Sequence, residues 1–272
     1  MAEPIVFTDL LQESLSRTRK LIMPSLPHAA IFIAASGGLI WAANILPDGG
    51  SGFAVFSALT FMTLFAHSRF SVAMYHAVLP ARTGTLAAAW KLTLAWILVF
   101  VILAIGASMI TLFFALIGAS LGVGTSDDVG NIGDMTQQMR EGGTFWPVFM
   151  LFLATLFGVF WFITRLITFA AATASRGTVH VLRTWYWTKG RFRVLGPLLV
   201  VLIALPLVAL SYLSAWVGSA LFSADPSPVE AALAAMLGIM ILLPSAWLGH
   251  GFAAAAFDHL APDQDQTTTP AS

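Results

Sequence analysis

Residues 165–196 read RLITFAAATASRGTVHVLRTWYWTKGRFRVLG, and this stretch decides the fold of the chain. It contains six of the thirteen Lys and Arg residues and no acidic residue. Long apolar runs flank it, Trp146–Thr164 before and Val194–Phe222 after. A basic, Trp-rich connection between two apolar runs is typical of the cytoplasmic side of a membrane protein, because cations and indole rings both favour the lipid headgroup region.

The composition indicates that most of the exterior faces lipid. Of the 272 residues, 58% are hydrophobic and only 10% are charged, and the mean hydropathy is +0.85. A soluble domain carries roughly 25% charged residues. The sequence predicts an all-α integral membrane protein with six transmembrane helices of about 20 residues or more. The predicted spans are Ala29–Leu46, Phe53–Tyr75, Leu92–Gly122, Trp146–Ala170, Val194–Phe222 and Ala231–Phe257.

The distribution of Lys and Arg predicts the orientation. Twelve of the thirteen lie in the N-terminal segment, or in the second and fourth connections together with the ends of the spans that lead into them, and only Arg140 lies in a connection on the other side. By the positive-inside rule, both termini are cytoplasmic. We expect a location in the bacterial inner (plasma) membrane, with the first apolar run retained as a helix and not cleaved as a signal peptide.

Three regions follow from this layout. Residues 1–28 are predicted to be a cytoplasmic amphipathic segment, either lying on the membrane surface or docked on the bundle as a short helix. Residues 29–257 form the six-span membrane domain, and residues 258–272 a disordered cytoplasmic tail. The largest outer loop, Val123–Phe145, is rich in Gly and Asp but lacks the ligand spacing of a calcium loop, so we expect a solvated loop.

Two stretches resemble each other and predict an internal repeat. Arg69 precedes Trp90 by 21 residues, and Arg165 precedes Trp185 by 20, each pair being followed by a span. Thr18–Leu21 before the first span resembles them more weakly. We predict a threefold repeat of one amphipathic cytoplasmic surface helix plus two spans, which places surface helices before spans 1, 3 and 5.

The same stretch carries a family resemblance. Arg-Leu, an Ala-rich segment and Trp-x-x-Thr-Lys-Gly before another span resemble the membrane domain of glycerophosphoryl diester phosphodiesterases and the related YciC-type bacterial inner-membrane proteins. The matching residues are Arg165, Leu166, Ala170–Ala172, Trp185, Thr188, Lys189 and Gly190. The resemblance covers mainly residues 162–205. It implies membrane location and topology, and it does not imply hydrolysis.

Basic and aromatic residues near the cytoplasmic ends of the spans are the candidates for binding lipid headgroups. Arg69 and Arg165 lie near the ends of spans two and four, where they either snorkel to lipid phosphate generically or bind a specific anionic lipid. An ion pair with Asp258 is a further alternative. The complete candidate set is Arg69, Arg165, Arg183, Trp185, Lys189, Arg191 and Arg193.

Two further features concern the spans themselves. Small residues at four-residue spacing predict a close helix-packing face in span one, within the chain or between chains. These residues are Ala30, Ala34, Gly38 and Ala42. Pro206 and Pro244 fall near the middle of spans five and six and are predicted to kink them, because each removes a backbone donor. Broken helices can mark transport sites, so the kinks suggest transport as an alternative function.

The sequence contains no recognisable catalytic constellation. The absence of Cys excludes thiolate chemistry, the six His residues lack zinc-like spacing, and no Gly-x-Ser-x-Gly is present. We therefore predict no catalytic residue, metal site or cofactor. A further alternative is an interfacial lipid enzyme, which requires His250, Asp258 and His259 to converge with Arg165.

These observations predict a non-enzymatic multi-pass inner-membrane protein. Its basic cytoplasmic interfacial helices are expected to bind or organise anionic lipids or membrane partners. A homo-oligomer or another membrane protein is a possible partner, whereas the formal net charge of zero argues against nucleic acid. The alternative is a small transporter or channel that uses the Pro-kinked spans 5 and 6.

Overall fold

The computed structural model describes residues 6–47, 49–120, 137 and 140–261, and this part of the chain contains helices and no strand. Among these described residues nine α-helices follow one another, with a π-helical turn at Val200–Ala204 before the eighth. They are α1 Phe7–Ile45, α2 Gly50–Val78, α3 Thr85–Ser120, α4 Phe145–Leu166, α5 Phe169–Arg176, α6 Val181–Trp187, α7 Phe192–Leu199, α8 Leu205–Leu221 and α9 Pro228–Leu260.

In the part of the chain that the structure describes, six helical segments are long and apolar enough to cross a membrane, which confirms the all-helical, six-span prediction at that level. Three of them are the single helices α1, α2 and α9. A fourth is Thr85–Phe113 within α3, and Phe145–Arg176 joins α4 to α5. The sixth, Phe192–Leu221, comprises α7, the π-helical turn and α8. The chain is therefore a multi-pass membrane protein by length and composition.

The N-terminal segment and the first span form one helix. α1 runs without interruption from Phe7 to Ile45, although it contains Pro24 and Pro27. The boundary predicted at Ala29 therefore does not appear as a break. Proline removes a backbone donor inside a helix, a loss of about 3 kcal/mol in a soluble host. α1 packs against α9 on both sides of the two prolines, at Thr18 and at Gly37.

Other predicted boundaries also shift. α9 continues to Leu260, so the first residues assigned to the C-terminal tail are helical. The rest of the tail from residue 262, and most of the predicted Val123–Phe145 loop, lie outside the described residues. α2 is helical through Val78, and the short connection 79–84 leads directly into α3.

The chain divides into two compact units. One comprises Met1–Trp96 and Thr164–Ser272, and the other is Ile97–Ile163. In the second unit large apolar side chains such as Met109 and Phe157 are exposed, as expected for surfaces in contact with lipid. The first unit contains the larger buried core.

The core of the first unit lies between α1, α2 and α9. Leu21 and Ala29 of α1 pack with Phe70 and Met74 of α2, and Trp247 of α9 covers this cluster. Small residues are buried around it, including Ala170–Ala172, Ala174 and Ala253–Ala256. Small side chains let helix backbones approach closely, which is how helices associate without a strong hydrophobic driving force in lipid.

Two glycines set the contact between α1 and α9. A Cβ added to Gly251 would lie 2.2 Å from Thr18 Oγ1, and one added to Gly37 would lie 2.5 Å from Met236 Cγ. The two helices therefore pack closely both near the start of α1 and near its end. Because these contacts pair early α1 with late α9, the two helices are antiparallel.

The face of α1 that packs within the chain differs from the predicted small-residue stripe, and packing of that stripe between chains stays a prediction. Ala30, Ala34 and Gly38 are exposed, and only Ala42 of the four is buried. The buried positions in this part of α1 are Ala29, Ile33, Ser36 and Gly37. Every helix face with residues four apart can carry small side chains, so spacing alone did not identify the face that α9 and α2 cover.

The two predicted kink positions differ in their surroundings. The π-helical turn Val200–Ala204 ends immediately before α8, whose first turn contains Pro206. Proline has no N–H to donate to the preceding turn. The wider, π-helical turn therefore coincides with the missing donor. Pro244 lies inside α9, which is one helix from Pro228 to Leu260.

Candidate functional site

The segment between α4 and α7 folds as two short helices. α5 buries every residue from Phe169 to Ser175, and Gly177 ends it in the left-handed region at φ 65°. A Cβ added there would lie 2.4 Å from Thr83 Cγ2, so both the backbone and the space require glycine. α5 is thus a buried helix, and the surface helix before span five stays a prediction for the segment that follows it.

Hydrogen bonds join α5 to the connection that follows α2. The Arg82 N–H donates to Ser175 O at 3.0 Å, and Ser175 Oγ donates to Pro80 O at 2.7 Å. Lys91 Nζ donates to Gly177 O, from the start of α3. The two connections that the repeat matched to each other therefore contact each other, whereas the repeat itself stays a prediction.

α6 has one buried and one exposed face. Val181 and Thr184 are buried, whereas Leu182 is 65% exposed and Tyr186 is 75% exposed. Just beyond the helix, Thr188 Oγ1 donates to Arg165 O at 3.0 Å and fixes the end of α6 to the end of α4. Large apolar side chains therefore project outward from a helix that is anchored by threonines.

Two arginines of the basic stretch lie against indole rings. The Arg165 Cζ lies 5.0 Å from the Trp185 ring centre, and the Arg176 Cζ lies 4.7 Å from that of Trp187. Arg176 also lies 5.4 Å from the Phe257 ring of α9. Arg165 is buried at 6% exposure. These cation–π contacts hold α6 in place, so Arg165 and Trp185 have a structural role beyond the headgroup contacts predicted for them.

The other basic residues of the stretch face outward. Arg183, Lys189 and Arg193 are exposed and Arg191 is half-buried. None of these four forms an ion pair with a residue that the structure describes. We call them, together with Leu182 and Tyr186, the basic-apolar surface.

The ion pairs of the described residues lie instead between α1 and α9. Arg17 pairs with Glu13 of its own helix and with Asp258 of α9, and His259 Nε2 lies 2.6 Å from Glu13 Oε2. The alternative in which Asp258 pairs with Arg69 or Arg165 is therefore wrong, because α9 runs along α1 and brings Asp258 to Arg17.

The residues that an interfacial enzyme would need make separate structural contacts. His250 Nε2 lies 3.0 Å from Ser71 Oγ and its Nδ1 lies 2.7 Å from Ala246 O. A carbonyl only accepts, so Nδ1 carries the proton and Ser71 donates to Nε2. Asp258 and His259 bind Arg17 and Glu13, as described above. Within residues 6–47, 49–120, 137 and 140–261, no group of three His, Asp or Glu side chains is placed to hold a metal ion.

Arg69 occupies a different environment from Arg165. It is half-buried in α2, and its Nε is inaccessible to solvent and has no hydrogen-bond partner among the described residues. The Nδ1 of His28, on α1, is also inaccessible, and the backbone of Pro24 acts on this ring as a hydrogen-bond partner. Arg69 is close enough to His28 to act on it electrostatically. This pair was not apparent from the sequence, because the two residues are 41 positions apart.

His180 lies in the connection between α5 and α6. It is buried, and burial, reinforced by the charges of Arg176 and Arg183, lowers its pKa below the usual 6.5. Its Nε2 lies 2.6 Å from Thr178 Oγ1, and its backbone N–H donates to Thr173 Oγ1 at 3.3 Å. The neutral ring is therefore part of the support of α6.

Sequence reasoning missed the threonines and histidines that position the basic stretch. Thr188 is the clearest case, since it belongs to the Trp-x-x-Thr-Lys-Gly motif that suggested the resemblance, and it binds the Arg165 carbonyl. Comparisons with protein-family models, with curated proteins and with solved structures found no match to this chain. The proposed function therefore rests on the geometry of the basic stretch, residues 165–196.

Proposed function

We propose that this protein is a non-enzymatic, multi-pass inner-membrane protein that binds anionic lipid headgroups through the basic-apolar surface, with both termini in the cytoplasm. The observation that carries the proposal is the composition of α6. Leu182 and Tyr186 are exposed beside Arg183 and Lys189, and neither cation has an ion-pair partner among the described residues. An exposed surface that is both apolar and cationic matches the headgroup region of an anionic leaflet.

The lengths of the helices support this placement. Arg69 lies nineteen residues from the start of α2 and Arg165 lies twenty from the start of α4, which corresponds to about 29 and about 30 Å of helix. The hydrocarbon core of a bilayer is about 30 Å thick. If these helices begin at the outer boundary, both arginines reach the inner boundary, and α6 follows at headgroup depth.

Electrostatics predicts how strongly the basic-apolar surface is attracted to an anionic leaflet and how this attraction depends on salt. Each Lys or Arg near an anionic leaflet contributes about 1 kcal/mol, and the attraction decreases over a Debye length of about 8 Å at physiological ionic strength. Four residues of the stretch therefore suffice for a clear preference for anionic over zwitterionic lipid. Exposed Leu182 and Tyr186 add an apolar contribution that salt does not screen.

The proposal includes the predicted surface helices and repeat. α6 corresponds to the surface helix before span five, and the contacts between connections 79–84 and 177–180 support a related position for the first match. In this arrangement the headgroup-binding unit is a short helix whose depth is fixed by indole rings and threonines.

The test is lipid selectivity in reconstituted membranes. We would measure the association of spin-labelled phosphatidylglycerol and phosphatidylcholine with the wild type and with a variant carrying R183E, K189E, R191E and R193E. The wild type should prefer phosphatidylglycerol, and the variant should lose most of that preference. Arg140→Glu, in the other connection, is the control and should retain it. Equal association of both lipids with the wild type would overturn the proposal.

A second candidate function is transport through spans five and six. The observation that favours it is the π-helical turn Val200–Ala204, because such turns occur frequently at functional sites. Gly249 of α9 lies opposite it, where an added Cβ would be 3.4 Å from Ile203 Cδ1. Solute flux into proteoliposomes, compared between the wild type and Pro206→Ala and Pro244→Ala variants, tests this candidate; absence of flux for every solute class would exclude it.

A further inference from the structure

The last turn of α9 places His259 against Glu13, in the second turn of α1. We infer that this contact is proton-sensitive, and that it holds the first two turns of α1 to α9 more firmly when His259 is protonated. The device is independent of the lipid binding proposed above, because neither residue belongs to the basic-apolar surface. It links the position of the beginning of α1 to the pH on that side of the membrane.

Two carboxylates share one permanent cation at this contact. Arg17 Nη2 lies 2.5 Å from Glu13 Oε1, and the same nitrogen donates to Asp258. The second oxygen of Glu13, Oε2, lies 2.6 Å from His259 Nε2. While the imidazole is neutral, the four side chains carry one net negative charge. Protonation of His259 balances that charge and adds an ion pair to the hydrogen bond with Glu13.

The helix ends that meet here also favour a positive charge on His259. It lies in the last turn of α9, where the unpaired carbonyl groups attract cations. On α1, Asp9 lies one turn before Glu13, on the side of the helix that Glu13 occupies. A histidine ordinarily changes its charge between about pH 5 and about pH 8. The negative surroundings therefore couple proton binding to the contact between the two helices.

The other neighbouring helices contribute charged or titratable groups that are engaged elsewhere. α5 contributes Arg176, whose Cζ lies 5.4 Å from the Phe257 ring centre. Residues two apart in a helix do not face the same side, so this cation lies on a different side of α9 from His259. α2 contributes His76, whose Nε2 lies 3.2 Å from the carbonyl oxygen of Ala174. Within the described residues, the ion pair of His259 is therefore made with α1.

The beginning of α1 has little other attachment. From Phe7 to Glu13, only Leu10 is buried. Close packing against α9 begins at Ser14, whose carbonyl oxygen would lie 2.7 Å from a Cβ added to Gly251. A segment with few buried contacts opens at a small free-energy cost. An exposed ion pair of ordinary strength therefore shifts the opening equilibrium of these two turns by about two- to fivefold.

The experiment measures the mobility of the first turns of α1 as a function of pH. Because the chain contains no cysteine, a Cys introduced at the exposed Gln12 carries a nitroxide spin label without background labelling. We would record electron paramagnetic resonance spectra of the full-length protein in vesicles of phosphatidylcholine, which is zwitterionic and provides no anionic leaflet. Raising the pH from about 5.5 to about 8 should increase the ratio of mobile to immobile label about two- to fivefold. At about 1 M salt, where the Debye length is about 3 Å, this change should become smaller.

Variants of the labelled protein separate charge from structure. His259→Gln keeps a hydrogen-bond donor but cannot be protonated, so its label should show the high wild-type mobility of alkaline pH throughout. His259→Lys is positively charged over the whole range and should stay at the low mobility. His76→Gln, which removes a histidine from the last turn of α2, is the matched control and should keep the full pH response.

Two results would overturn the inference: a wild-type label whose mobility does not change with pH, or a His259→Gln variant that responds like the wild type. The direction of the change separates this contact from a general loss of stability through His180. Protonation of His180 should loosen the protein at acidic pH, whereas protonation of His259 should tighten the beginning of α1.

Discussion

Arg17 forms an ion pair with Asp258 although the two residues are 241 positions apart in the sequence. The pair connects the beginning of the first span to the end of the last. Arg17 also donates to Glu13 and lies 3.5 Å from the carbonyl oxygens of Val78 and Ala254, so three helices meet at one guanidinium. The stability of the fold is therefore expected to depend both on the beginning of α1 and on the end of α9.

Replacing Arg17 by Ala should lower the free energy of unfolding by about 1–3 kcal/mol, because Glu13 and Asp258 lose their shared cation. Arg19→Ala is the control, since Arg19 is exposed and has no ion pair with a described residue. Unfolding in mixed micelles, followed by tryptophan fluorescence, measures the difference. Equal stability of the two variants would show that the cluster contributes nothing.

A methyl group at Gly251 should separate α1 from α9. In Gly251→Ala the new Cβ would lie 2.2 Å from Thr18 Oγ1 and 2.7 Å from the Ser14 carbonyl oxygen, which belongs to a backbone and cannot rotate away. We expect a loss of about 1–3 kcal/mol. In Gly249→Ala the nearest atom is Ile203 Cδ1 at 3.4 Å. Both variants gain the same helix propensity. The difference between their melting temperatures therefore measures the effect of the steric clash at Gly251.

Acidic pH should destabilise the protein through His180. Because its folded pKa is lower than the unfolded value of 6.5, the unfolded chain binds the proton more readily. The stability contributed by the neutral ring is complete above about pH 6.5 and is lost as the pH falls toward the folded pKa. His180→Gln should remove this component and flatten the pH dependence of the melting temperature between pH 7.5 and 5. An unchanged slope would contradict the assignment.

Thr188→Val should loosen the end of α6, because the valine cannot donate to the Arg165 carbonyl oxygen 3.0 Å away. Thr188 is buried, so we expect a loss of about 1 kcal/mol. Thr60→Val is the matched control, since the exposed Thr60 hydroxyl bonds only to the Phe56 carbonyl of its own helix. Proteolysis between α5 and α7 should increase in the first variant and remain unchanged in the second.

The six spans were predictable because each is a run of apolar residues with few charges, and that signal depends on the lipid alone. The continuity of α1 was not predictable. Pro24 and Pro27 favour a boundary, yet α1 continues through both and packs along α9, which is distant in the sequence. In this helix, tertiary packing outweighs the local sequence preference for a boundary.

The candidate site was predictable in composition but not in arrangement. The sequence identified the cationic stretch, yet it could not separate Arg165, which is buried against Trp185, from Arg183, which is exposed. That difference depends on which face of a short helix is covered.

The buried alanines around α5 and α9 have a consequence for the cost of ordering this end of the protein. Ala, Gly and Ser lose little or no rotamer freedom when they are buried, whereas a long side chain loses up to about 2 kcal/mol. Ala170–Ala172 and Ala253–Ala256 therefore become ordered with almost no loss of side-chain entropy. We therefore expect that ordering this layer costs backbone entropy and almost no side-chain entropy. Its side chains should show uniformly restricted dynamics from low temperature up to the melting transition.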